Sequence, residues 1–207
     1  MRQLHFIFLS LMFINTLLFA QQKEQSETLP YYQIPDYPEE YTEEAVLARV
    51  IDGLGFRYYW ASKDLREEDL NYSPGNDGRT TRETLDHILG RSFVVYNAAM
   101  NKPNVRLATI PERTWEETRR ATLENIKKAS DHLKSGKADK ADKADKAKDL
   151  KMIFQRGEGT SEFPLWNLLN GHLSDAIYHT GQIASHRRSS GNPIDPGISM
   201  LSGKVRE

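Results

Sequence analysis

The chain of 207 residues contains no cysteine. This absence excludes disulfide bonds, thiolate metal ligands and cysteine nucleophiles. A folded domain of this chain must therefore be held together by its apolar core. Any metal site must be built from His, Asp, Glu or water.

The chain also lacks a strong excess of charge of either sign. Its 28 Lys and Arg residues almost balance its 29 Asp and Glu residues, which gives a formal net charge of −1. Proteins that bind nucleic acids or anionic membranes usually carry a marked basic excess. The composition therefore predicts neither of these partners.

Only one long apolar run is present, and it lies at the N-terminus. Arg2 precedes an almost wholly apolar stretch that ends at Ala20, and the polar sequence QQKEQSE follows. This layout is typical of a signal peptide over residues 1–20, which predicts an exported protein, periplasmic or secreted. The alternative is an uncleaved anchor, but the run is shorter than the roughly 20 residues that span a bilayer. After cleavage we expect no stable membrane insertion.

No convincing strand pattern appears in the rest of the chain. Residues 21–40 contain three prolines and predict an extended linker or an arm on the domain surface. Residues 41–207 form one predicted domain with four helical segments, at about residues 43–62, 80–100, 111–133 and 164–190. Residues 137–149 carry a KAD repeat, predicted to be a solvated helix extension or a mobile loop, and residues 151–162 an irregular return. The predicted fold class is therefore all-α, a four-helix bundle.

Local signals place the starts and faces of these helices. Thr80 and Glu83 have the spacing of a capping box, and Pro111 is a favoured first-turn residue for the third helix. The predicted core-facing stripe of the first helix has apolar residues at intervals of four: Val46, Val50, Leu54 and Tyr58.

The fourth predicted helix carries a polar stripe suited to metal binding. Asp175 and His179 are four residues apart, so their Cβ atoms lie roughly 5–6 Å apart on one helix face. His172, Gln182 and His186 share an arc of about 80° with them. The alternative is a solvated face that happens to contain three histidines, but such faces usually carry Lys and Glu, which this arc lacks. The stripe therefore favours two ligands for a divalent ion.

A third ligand has to come from another helix. His87, near the start of the second helix, is the best candidate, although a lone histidine in such a place is more often a packing residue than a ligand. His132 lies at the hydrophilic end of the third helix and is expected to be exposed. The residues alone leave the role of His87 open.

Two segments resemble motifs of the DinB/YfiT-like superfamily. They are DAIYHTGQI, followed by Arg187, Arg188 and Gly191, and TRETLDHIL around His87. The similarity covers roughly residues 43–191 and implies a DinB-like bundle with a metal site between the second and fourth helices. It implies His87, Asp175 and His179 as the metal ligands, with Asp175 standing where many members have His.

The neighbouring polar residues have separate predicted roles. His172 lies about 10 Å along the helix axis from His179, which places it in the pocket wall or second shell rather than among the ligands. Gln182 is expected either to hydrogen-bond a ligand or bound water, or to form a helix–helix hydrogen bond. Gly181 suggests close packing of a neighbouring helix. Arg187 and Arg188 lie at the C-terminal end of the helix, where cations complement its dipole, and are interpreted first as structural and second as substrate-binding.

These observations predict an exported, metal-dependent enzyme that acts on an unknown small molecule. The ion would be zinc, nickel, iron or manganese, and metal-assisted hydrolysis is slightly favoured over thiol transfer because cytosolic thiol cofactors fit an exported protein poorly. No general base is identified, since Asp86 beside His87 points to a different side. The resemblance implies thiol transferases, thiol-dependent isomerases and hydrolases, and allows a homodimer.

Two alternatives remain open from the sequence. The first is a non-catalytic bundle that binds metal or a partner protein, with the KAD repeat and the tyrosine-rich arm as contact surfaces. The second is a helical domain whose histidines bind nothing.

Overall fold

The computed structural model describes residues 29–105, 111–135 and 149–206. The predicted signal peptide, the first part of the predicted arm and all of the KAD repeat except Asp149 lie outside these residues. No helix within the described ranges has both the length and the apolar character needed to cross a membrane.

Helices dominate the described structure. The first long helix, α1, spans Glu43–Ala61, and a short helix α2, Glu67–Asn71, follows in the connector. Helix α3 spans Thr81–Ala99 and helix α4 spans Trp115–Lys134. The last helical segment is continuous but irregular, and consists of α5 (Leu165–Leu168), a π-helical turn (Leu169–Leu173) and α6 (Ser174–Ser189).

Threonine side chains fix the starts of the three long helices α1, α3 and α4. The capping box of Thr80 and Glu83 is present, as predicted. An equivalent box of Thr114 and Glu117 starts α4 at Trp115, so the predicted start at Pro111 is wrong. The hydroxyl of Thr114 satisfies the free N–H of Glu117, which makes Thr114 the residue where helical geometry begins.

The four long helical segments pack around one core. Helices α1 and α3 each contact both α4 and α6. The largest fully buried aliphatic and aromatic side chains come from all four segments, and include Ile51, Leu54, Tyr58, Leu85, Ile88, Leu123, Ile126, Leu168, Leu173 and Ile183. The site described below lies where α3 contacts α6.

The predicted stripe on α1 is only half correct. Val46 and Val50 are 51% and 41% exposed, whereas Leu47 and Ile51 are buried. A strict spacing of four residues advances about 40° per step around a helix, so it leaves the core face within three steps. The buried face instead alternates spacings of three and four.

The fold is mainly helical but not all-α, which corrects the sequence prediction. Strand β1 (Pro103–Val105) pairs in parallel with β2 (Lys151–Arg156), and β2 pairs antiparallel with β3 (Gly159–Pro164). A second small sheet joins β4 (Ile198–Ser199) to β5 (Lys204–Val205). The hairpin β2–β3 replaces the irregular return predicted for residues 151–162. Every residue of β3 is exposed, so the strand has no apolar alternation that a sequence pattern could show.

The described part of the N-terminal arm contributes to the core. Leu29, Tyr31 and Ile34 are buried. The hydroxyl of Tyr31 donates to Asp52 Oδ1 at 2.9 Å, and the backbone N–H of Ile34 donates to the carbonyl of Gly203 at 2.9 Å. The arm therefore packs on the helices and on the C-terminal segment at the same time.

Candidate metal centre

Three side chains from two helices converge between α3 and α6. His87 comes from α3, and Asp175 and His179 lie one turn apart on α6. His87 Nε2 is 3.0 Å from Asp175 Oδ2, and His179 Nε2 is 3.2 Å from Asp175 Oδ1. Each carboxylate oxygen thus faces one imidazole. The structure brings together the three residues that the sequence indicated as ligands.

The geometry of this cluster fits one divalent ion. One ligand atom from each residue can be chosen so that all three lie within 4.8 Å of one another. With metal–ligand bonds of about 2.1 Å, neighbouring ligands around a tetrahedral or octahedral ion are about 3.0–3.4 Å apart. The two nitrogen–oxygen separations lie in this range, each to a different oxygen of Asp175. Among the described residues, no other group of His, Asp and Glu meets the same distance criterion.

Gln182 orients one of the two imidazoles. Its Oε1 lies 2.6 Å from His179 Nδ1. When the Gln182 oxygen accepts this bond, Nδ1 carries the hydrogen and the lone pair of His179 lies on Nε2, on the side of Asp175. Gln182 was predicted to bond either a ligand or a residue of a neighbouring helix. In the structure it bonds the candidate ligand His179 on its own helix.

Arg91 is a member of the site that was not predicted from the sequence. Its Nε donates to Asp175 Oδ2 at 2.6 Å, and its Nη1 lies 3.2 Å from His172 Nδ1. Arg91 follows His87 by four residues, so the two share one face of α3. That spacing was a usable signal, because an arginine beside a histidine ligand and opposite an aspartate can neutralise the carboxylate.

The surroundings favour deprotonated ligands at neutral pH. Burial alone would raise the pKa of Asp175, but the hydrogen bonds from Arg91 and His87 outweigh it, and the pKa lies below its ordinary value. The pKa of His87 is also lowered, mainly by burial, with the hydrogen bond to Asp175 acting in the opposite direction. Metal ions compete with protons for these atoms, so both shifts assist metal binding.

A cavity of about 410 Å³ opens beside the cluster. Its wall is formed by Arg91, Asn170, Gly171, His172, Ser174, Asp175 and Tyr178. His172 lies in this wall, outside the group of candidate ligands, and its ring centroid is 5.9 Å from that of Phe154 on β2. Burial lowers the pKa of His172, with a further contribution from the charge of Arg91.

The π-helical turn determines where His172 lies. It changes the angular spacing over Leu169–Leu173, so a regular helical wheel does not describe this part of the predicted stripe. The hydroxyl of Ser174 donates to the carbonyl of Leu169, five residues earlier, within this irregular turn. Single π-turns occur frequently at functional sites.

Other residues singled out in the sequence lie outside the cluster. His186 is buried, and its Nδ1 is 3.1 Å from Thr81 Oγ1. Asp86 accepts from Arg82 and Thr118, and so faces a different side of α3 from His87, as predicted. The predicted stripe on the fourth helix is therefore divided between a candidate site and a packing contact.

Gly181 and Arg187 also lie outside the cluster, and their predicted roles have different outcomes. A Cβ on Gly181 would meet no atom within 4 Å, and the residue is exposed, so the predicted close helix packing is wrong. The structural interpretation of Arg187 is confirmed. Its buried Nη1 donates to the carbonyls of Trp60, Ala61 and Lys63 at the C-terminal end of α1.

Comparisons of the chain with family models, with curated proteins and with solved structures gave no match. The chemistry of the site must therefore be inferred from its own residues and their geometry.

Proposed function

We propose that this protein is an enzyme that depends on one divalent metal ion and acts on a small molecule in the cavity beside Asp175. His87, Asp175 and His179 would hold the ion, which would be zinc, nickel, iron or manganese. The observation that carries this proposal is the convergence of two imidazoles on the two oxygens of one carboxylate, at 3.0 and 3.2 Å.

Further contacts support a built site. Gln182 and Arg91 each bond a candidate ligand, and such outer partners fix the orientation and the protonation of metal ligands. Three protein ligands leave coordination positions open for water or substrate, which is typical of catalytic rather than structural sites. The cavity gives a small molecule access to Asp175, the one candidate ligand that lines it.

We also propose that the chain is a DinB-like four-helix bundle from an exported protein. The order of the four long helical segments and the position of the cluster, between the second and fourth of them, support the fold proposal. The N-terminal sequence pattern of residues 1–20 supports export. Homodimer formation belongs to the same proposal and is implied only by the resemblance.

Hydrolysis is the reaction class that we favour over thiol transfer. When bound at this site, a divalent ion would polarise a water molecule or a substrate carbonyl or thiol. Arg91 and the imidazole of His172 would bind and orient the substrate in the cavity. Because Nδ1 of His172 accepts from Arg91, its other ring nitrogen carries the hydrogen and can donate.

Metal analysis of protein purified without a histidine tag tests the proposal. We expect one equivalent of a transition metal in the wild type, and less than a tenth of that in His87→Ala and His179→Ala. His132→Ala, which changes a histidine outside the cluster, should retain the metal. Absence of metal from the wild type, together with an unchanged melting temperature in added zinc, nickel or manganese, would exclude this function.

A second candidate is a non-catalytic metal-binding or protein-interaction bundle, and one observation favours it. Asp175 is the only carboxylate among the described residues that line the cavity, so none remains to act as a general base there. A screen with ester, amide and thiol substrates separates the two functions. Turnover that is lost in His87→Ala but kept in His132→Ala supports the enzyme, whereas bound metal without any turnover supports the binding module.

A further inference from the structure

We propose that Arg91 and His172 form an anion-binding subsite in the cavity, and that the substrate is a small molecule with a carboxylate or phosphate group. This inference rests on the proposed function and deepens it, because it names the substrate class. Both side chains line the same cavity, and Arg91 links the subsite directly to Asp175.

The hydrogen-bonding capacity of the wall favours an anion. The guanidinium of Arg91 has five N–H donors and no acceptor. Its contacts with Asp175 and His172 engage two of these donors, so the group can still donate to a ligand. His172 accepts from Arg91 through Nδ1, which leaves an N–H donor on the other ring nitrogen.

The carboxylate of Asp175, the one anionic acceptor in the wall, is already engaged. Asp175 Oδ2 accepts from Arg91 and contacts His87, and Oδ1 faces His179. The carboxylate is therefore directed toward its own partners, whereas the donors of Arg91 and His172 remain available. A carboxylate or phosphate oxygen matches such donors, and bonds to a guanidinium are among the stronger hydrogen bonds in proteins.

Arg82 provides a matched control on the same helix. Both arginines bond a carboxylate through Nε, Arg82 to Asp86 at 3.0 Å and Arg91 to Asp175 at 2.6 Å. Their side chains are similarly exposed, at 31% and 32%. Arg82 differs in that it does not line the cavity. Arg82→Gln and Arg91→Gln therefore each remove one positive charge from the same helix, but only Arg91→Gln alters the proposed subsite.

The test is an NMR titration of the metal-free full chain at constant ionic strength. The probes are inorganic phosphate, acetate and the neutral analogue acetamide, and the signals are the backbone amides of residues 170–175. We expect saturable shifts with phosphate or acetate in the wild type and in Arg82→Gln, and binding at least tenfold weaker in Arg91→Gln. Tighter binding of phosphate would assign a phosphate group, and tighter binding of acetate a carboxylate.

Two outcomes overturn the inference. One is absence of saturable anion binding in the wild type, and the other is equal binding, within twofold, in Arg91→Gln. If Arg91→Gln does not fold, Arg91→Lys retains the charge and should bind the anion more tightly than Arg91→Met. The titration uses metal-free protein, so its result does not depend on metal binding. Anion binding can be absent when metal is bound, and present when no metal is bound. The subsite and the proposed function are therefore tested separately.

Discussion

The hydrogen bond between Gln182 and His179 offers the sharpest test of the candidate metal centre. Gln182→Leu keeps the approximate volume of the side chain and removes the acceptor of His179 Nδ1. In the wild type, that acceptor holds the hydrogen on Nδ1 and leaves the lone pair on Nε2. In the variant, the hydrogen can move to Nε2 and bond Asp175 Oδ1, only 3.2 Å away, and the ring then has no lone pair for a metal ion there.

The structure sets the size of the expected effect. Loss of an outer partner of a metal-binding histidine typically weakens metal affinity by about 10- to 100-fold, or roughly 1.4–2.7 kcal/mol. His179 is only 8% exposed, so water is a poor substitute for the lost acceptor. We therefore expect a loss of at least tenfold in zinc affinity for Gln182→Leu.

Competition with a chromophoric chelator measures the zinc affinity of each variant. Gln182→Glu keeps an acceptor for Nδ1, so its affinity should stay within about threefold of the wild type or increase with the added negative charge. Gln155→Leu makes the same chemical change at an exposed position of strand β2, and should leave the affinity unchanged. Melting temperatures of the metal-free proteins show whether any loss comes from unfolding.

A result within twofold of the wild type for Gln182→Leu would refute the reasoning. The hydrogen bond of Gln182 would then be only a contact within α6. It would not determine which ring nitrogen of His179 carries the hydrogen. A loss of affinity in Gln182→Leu that Gln182→Glu does not restore would also contradict the argument, because it would point to packing rather than to the acceptor.

Three further predictions concern stability. Gly181→Ala should stabilise the metal-free protein in urea unfolding by about 0.5–1 kcal/mol, because the added Cβ has free space in an exposed helix; a destabilised variant would contradict this. Arg187→Met should cost at least about 3 kcal/mol, because it leaves buried carbonyls at the end of α1 without a donor, and a cost below 1 kcal/mol would show that the capping contacts do not matter. The lowered pKa values of His87, His172 and His186, each caused first by burial, mean that unfolding takes up protons below about pH 6.5. Stability should then be independent of pH well above 6.5 and fall as the pH decreases through 6.5, and urea titrations that show no such fall would refute the assignment.

The helices were predictable because their signals are local. Thr80 and Glu83 mark the start of α3 through bonds between neighbouring residues. The signal that ends α6 is equally local, because Gly191 follows the helix with a φ of +83°, a conformation that favours glycine. The sheet was missed because β1 and β2 are distant in the chain, and β3 has no buried side chain to set a pattern. Pairing of this kind is dictated by backbone hydrogen bonds that composition does not reveal.

The same distinction applies to the site. The i, i+4 spacing of Asp175 and His179 is a property of one helix, whereas the approach of His87 depends on how α3 packs against α6. The residues alone left His87 undecided, and its position in the cluster follows from tertiary packing. The π-turn that carries His172 was not predictable from periodicity, because a helical wheel describes only a regular α-helix.

Arg91 gives a physical reason for the aspartate at position 175. In a site of three neutral imidazoles, a bound divalent ion would keep its full double positive charge. Replacement of one imidazole by the carboxylate of Asp175 lowers that total by one, and the guanidinium of Arg91, 2.6 Å from Oδ2, restores it. With histidine at position 175, Arg91 would lose its anionic partner and would repel the incoming ion. Asp175 and Arg91 are therefore best understood as one electrostatic unit, in which the guanidinium offsets the charge of the carboxylate.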